Sequence, residues 1–81
     1  MPYILRVDEV LQHAWDALPP SASAELTNAM INVCEDPLGA TTPYGEDDGV
    51  MRTLALQSVM AVLMITHATR HVRILQITHI G

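Results

Sequence analysis

The feature that most constrains this chain is the run Val59–Ile65, seven consecutive apolar residues with nothing polar between them. It is far short of the ~20 residues needed to cross a bilayer, so it belongs inside a folded domain. On a strand, successive side chains point to opposite faces, so this run makes both faces apolar. One set is Val59, Ala61, Leu63 and Ile65, and the other is Met60, Val62 and Met64. Parity alone does not choose which set meets the core and which meets something else.

The residues around this strand define its partners. Tyr3, Leu5 and Val7 alternate with Ile4 and Arg6, the pattern of a half-buried strand. Asp8 is placed to cap a helix and Glu9 sits in its first turn, near the positive end of the dipole. Val10, Leu11, Ala14, Trp15 and Leu18 then fall on one helical face, and Pro19 stops the helix at Leu18. A second helix starts near Pro19-Pro20-Ser21, with an apolar face of Ala22, Leu26, Ala29, Met30, Val33 and Cys34. It ends at Glu35-Asp36-Pro37, and the short link makes the pair an antiparallel hairpin. Residues 36–49 are rich in glycine, proline and acids, a surface loop. Three strands follow, Val50–Leu56, Val59–Ile65 and His71–Ile80, with turns at Gln57-Ser58 and Thr66–Arg70. The fold class is α+β: a single domain over residues 1–81, two helices on one face of a mostly antiparallel sheet of about four strands.

Eighty-one residues allow one domain whose core contributes only ~3–5 kcal/mol net. The sequence has no Phe, so that core is aliphatic, with Trp15 joining the helices to the sheet. The single cysteine, Cys34, forms no internal disulfide and has no neighbouring base or cation to activate it. His67 and His71 lie in a turn and a strand start, not on one helix face. Glu46-Asp47-Asp48 lack the spaced ligands of a calcium loop and read as a solvated acidic turn. His13 lies on the polar side of the first helix. No phosphate-binding glycine motif and no nucleophile motif occurs. Neither a cofactor nor a metal is expected. The start Met1-Pro2-Tyr3 does not read as a signal peptide, so a cytoplasmic protein that does not enter a membrane is expected.

Charge is divided along the chain. Residues 1–48 hold all nine acids and only Arg6, a net of −8, whereas residues 49–81 hold Arg52, Arg70 and Arg73 and no acid, a net of +3. This is either the ordinary clustering of acids on solvated helices and loops, or one electropositive region for an anionic partner. His71, Arg73 and His79 share strand parity and are expected on one face.

Several short pieces, in order along the whole chain, resemble the RelE/ParE superfamily of small bacterial toxins from type II toxin–antitoxin modules. Met1–Glu9 is similar to the family's first strand running into its first helix. Trp15 followed by Leu18-Pro19-Pro20 resembles its tryptophan and helix break, and Asp36-Pro37 the end of its second helix. Pro43-Tyr44-Gly45 with Gly49–Leu54 resembles the approach to its sheet, and Ile74–Gly81 its last strand. The resemblance implies a ribonuclease acting on mRNA in the ribosome. A base activates a 2′-OH, cationic side chains stabilise the phosphoryl group, and an acid assists the leaving oxygen. It assigns His79 as acid or base and Arg52 and Arg73 as phosphate clamps. Where ribonuclease members carry glycine, tyrosines and an arginine, this chain has Gln57–Leu63, and it has no lysine at all. A net charge of −5 further weakens any hold on RNA or ribosome. Ribonuclease activity is thereby left uncertain. Three readings follow: a divergent toxin that cleaves mRNA, a non-catalytic interaction module on the same scaffold, and a homodimer unconnected with toxins. The interface candidates are Met60, Val62, Leu63 and Met64, meeting a cognate antitoxin or a second copy.

Overall fold

The computed structural model describes residues 2–80. The elements run β1 (Ile4–Arg6), α1 (Glu9–Asp16), α2 (Pro20–Glu35), β2 (Thr42–Pro43), β3 (Met51–Ala55), β4 (Val59–Thr66) and β5 (His71–His79). The sheet has five strands in the order β1-β5-β4-β3-β2. β1 runs parallel to β5, and all other neighbours are antiparallel. The fifth strand is the two-residue β2, too short to leave a pattern in the sequence. The helices carry the chain from β1 across the sheet to β2 at the opposite edge, and β3 and β4 bring it back to β5, which lies beside β1 and parallel to it.

Local chemistry sets the helix limits. The Asp8 carboxylate accepts the Leu11 N–H at 2.9 Å, satisfying one of the four donors that a helix start leaves open. α1 ends at Asp16, with Ala17 as its C-cap, two residues before the limit Pro19 imposes. α2 begins at Pro20, whose missing N–H costs nothing in a first turn. At its other end Asp36 turns its carboxylate back to the Gly39 N–H, and a β-carbon at Gly39 would collide with that carboxylate.

The core lies between α2 and the sheet. Ala22, Leu26, Met30 and Val33 meet Leu54, Val59, Ala61, Leu63, Ile65, Val72 and Ile74, all buried. Leu11, Trp15 and Leu18 are half-buried and pack at the margin of this cluster. Trp15 also lines an open cavity of about 330 Å³ with Leu5, Met30, Ile31 and Cys34. Burial pushes the Cys34 thiol above its usual range, which disfavours the thiolate.

The packing decides the parity that the sequence left open. Val59, Ala61, Leu63 and Ile65 face the helices, and Met60, Val62 and Met64 face away. Leu63 is fully buried and so belongs to the core, not to the interface set. Among the described residues no element covers the other face at β4, where Met60 remains 39% exposed. Leu63→Ala is expected to destabilise by about 2–5 kcal/mol, because a buried leucine leaves a cavity, while Met60→Ala costs under about 1 kcal/mol. Urea titration followed by Trp15 fluorescence distinguishes them.

Candidate functional site

Arg52 pairs with Leu63 across β3 and β4, so it points to the core side of the sheet. There it is 6% exposed, beneath the segment between α2 and β3. Its Nε donates to Thr41 Oγ1 at 2.9 Å, and its Nη2 donates to the carbonyls of Thr41 at 2.9 Å and Leu38 at 3.3 Å. Its Nη1 meets the Asp47 carboxylate at 3.2 Å. Thr41 Oγ1 in turn donates to the Pro37 carbonyl at 2.6 Å. The guanidinium therefore spends its donors holding residues 38–47 on the sheet. A buried charge persists only when so paired. Nothing in this arrangement leaves Arg52 free to clamp a phosphate.

Asp48 fixes the far end of the same segment. Its carboxylate accepts the N–H of Val50 at 2.9 Å and of Met51 at 3.1 Å, across the left-handed turn at Gly49, φ 72°. These two bonds, first Val50 and then Met51, hold its pKa below the usual carboxylate range against a smaller opposing effect of desolvation.

His79 and Arg73 lie on opposite faces, because β5 carries a bulge. Leu63 pairs with Ile74 and Val62 with Gln76, which leaves Leu75 as the extra residue. One added residue reverses every later side chain. Arg73, before the bulge, pairs with Met64 and faces away from the helices. His79, after it, pairs with Val59 on the helix side. The expected common face of His71, Arg73 and His79 therefore holds for the first two alone. Arg52 and His79 share a side, yet their partners on β4 are four residues apart, roughly 13 Å along the sheet. General acid–base chemistry needs its groups within hydrogen-bond reach of one reacting centre. Arg52, Arg73 and His79 do not converge on one.

Two groupings join residues distant in sequence. His67 Nε2 lies 2.6 Å from the Gly49 carbonyl and Nδ1 2.8 Å from the Tyr3 hydroxyl. A carbonyl only accepts, so Nε2 carries the proton, and a neutral His67 accepts the Tyr3 O–H at Nδ1. This chain of bonds ties the start of β1 to the β4–β5 turn and to the turn before β3. The second grouping places Arg6 beside Arg73, with His71 next to them on the same face. It was hidden in the sequence because only the parallel register of β1 on β5 brings Arg6 there. Among the described residues no cluster of His, Cys, Asp and Glu could hold a metal ion, and no helix is long and apolar enough to cross a membrane.

Arg52→Ala is expected to cost about 1–3 kcal/mol, since it leaves the buried acceptors it serves at Thr41 without their donor. Faster proteolytic cutting within residues 38–48 reports the released segment. Asp48 adds an acid dependence. Its folded pKa lies below the unfolded one, so its contribution is complete above the unfolded value of about 3.9 and is lost as pH falls through the folded value. Asp48→Asn should flatten the decline in thermal midpoint below about pH 4.

No protein-family model matches the chain, and no curated protein sequence matches it. Solved structures do. A chain of the toxin–antitoxin complex RelBE2 from Mycobacterium tuberculosis superposes with a TM-score of 0.83 at 19% identity, covering 98% of this chain and 99% of that one. A double arginine-to-alanine mutant of the E. coli toxin RelE in the free state gives 0.81 at 21%, covering 98% and 84%. A chain of the intact E. coli RelBE toxin–antitoxin complex gives 0.79 at 21%, covering 98% of each. The parallel β1, the helical hairpin and the antiparallel β3–β4–β5 thus form one known arrangement: this chain has the RelE-like toxin fold.

Proposed function

We propose that the chain is a divergent, toxin-like member of a toxin–antitoxin pair that acts in the cytoplasm by binding protein rather than by cutting mRNA. The observation that carries this reading is the uncovered sheet face, where Met60, Val62 and Met64 stand in a row, flanked by Met51, Thr53 and Ala55 of β3. Methionines suit a surface that repacks against a partner, because their side chains are unbranched and polarizable. The fold shared with chains of two toxin–antitoxin complexes supports an antitoxin as that partner. Arg52 is committed to the 38–47 segment, and Arg73 and His79 lie on opposite faces, which argues against a shared cleavage apparatus. With a net charge of −5, contact with RNA or the ribosome is weak.

The test is controlled expression in a bacterial host, with growth and mRNA integrity scored together. Arrest with intact mRNA, relieved by co-expressing the product of an adjacent small reading frame, is the expected result. Met60→Glu, on the exposed face, should abolish co-purification with that product while leaving the circular dichroism spectrum unchanged. Cleaved mRNA that disappears in His79→Ala would overturn the binding mechanism. A stable homodimer that dissociates in Met60→Glu, with no effect on growth, would replace the antitoxin by a second copy.

A further inference from the structure

We propose that Arg6, Arg73 and His71 form a binding site for a phosphate monoester or free phosphate at the β1 edge of the uncovered face. Arg6 and Arg73 are register partners in the parallel pair of β1 and β5. They project from the same face of strands about 4.8 Å apart. Like charges opposed in this way destabilise a sheet unless something lies between them.

The described residues supply nothing of opposite charge to this pair. Arg73 makes no hydrogen bond or ion pair with a described residue. Arg6 reaches only His71 Nε2, at 3.5 Å, the outer limit of a hydrogen bond. The register neighbours on this face, Ile4, Thr66, Met64 and Met51, include no carboxylate. Asp8, two residues beyond Arg6, spends its carboxylate on the α1 cap. Both arginines are exposed, Arg6 on the edge strand β1 and Arg73 on β5 beside it.

His71 completes the site. Its Nδ1 lies 2.8 Å from Thr69 Oγ1, which orients the ring so that Nε2 faces Arg6. Arginine only donates, so Nε2 is the acceptor there and helps hold the Arg6 guanidinium over this face. Two guanidiniums match the two charges of a phosphate monoester, and their planar forks suit its oxygens. A carboxylate or an internal phosphodiester, each with one charge, leaves half of the pair uncompensated. These residues lie apart from Arg52 and His79, and the site does not depend on the toxin–antitoxin reading.

The experiment is nuclear magnetic resonance titration of the full chain at low ionic strength with inorganic phosphate, adenosine 5′-monophosphate, adenosine, acetate and a short RNA without a terminal phosphate. Saturable shifts confined to residues 4–6 and 69–73, with the first two ligands only, are expected. Tighter binding of the nucleotide identifies an ester as the source, and equal binding identifies free phosphate. Arg73→Gln should weaken binding roughly tenfold, the loss of one charge-assisted contact. In phosphate-free buffer that variant should melt no lower than wild type, because it relieves the repulsion. Arg6→Gln provides the same comparison should Arg73→Gln fail to fold. The proposal is overturned by any of four results: no saturable shift up to ~10 mM phosphate, shifts elsewhere, equal affinity in the variants, or tighter binding of a short RNA without a terminal phosphate.

Discussion

Everything in this molecule follows from the division of β4 between two environments. Its inward residues, Val59, Ala61, Leu63 and Ile65, supply the floor on which α2 lies. Among the described residues only α2 is long enough to cover the sheet, so its other side carries no helix. Placing Met60, Val62 and Met64 there keeps that face apolar at a stability cost the inward side must offset. The bare face is therefore a property of the element count as much as of the residues on it.

Charge is arranged around the same division. Arg52 faces inward at β3, beyond the reach of α2, and the sheet there is covered by a loop rather than a helix. The arginine makes that cover stable by serving as a hydrogen-bond hub for Thr41 and Leu38. Arg6 and Arg73 face outward at the opposite edge. The sequence asymmetry of −8 against +3 thus does not become one basic surface. One arginine is consumed by the fold, and Arg6, from the acidic half, joins Arg73 from the basic half.

Much of the fold was legible in local chemistry. Asp8 signalled the start of α1, and the Leu18-Pro19-Pro20 break separated the helices. Alternation located β1, the unbroken apolar run located β4 with β3 and β5 on either side of its turns, and the resemblance on Asp36-Pro37 and Trp15 led to the RelE-like arrangement that the superpositions show. Three things were not legible. The side of β4 that meets α2 depends on which way the sheet turns, and a run with no polar residue holds no record of it. The bulge at Leu75 has no glycine or proline to mark it, and it separates His79 from Arg73. The inward parity of Arg52 looked like a functional arginine because its partners, Thr41 and two carbonyls, are a loop that only folding assembles.

The position of β1 has a temporal consequence. Its three residues are synthesised before every other strand, yet their strand partner is β5, residues 71–73, the last strand of the sheet. Closing so long a loop is slow and brings no reward until the last strand exists. During synthesis the amino-terminal segment, the two helices and even the β3–β4 hairpin can form, but the sheet cannot be zipped to its first strand. Both the Arg6–Arg73 pair and the Tyr3–His67 bond come into being at that closing step. A nascent or truncated chain is thus structurally inert at this edge, and whatever the edge engages meets only finished molecules.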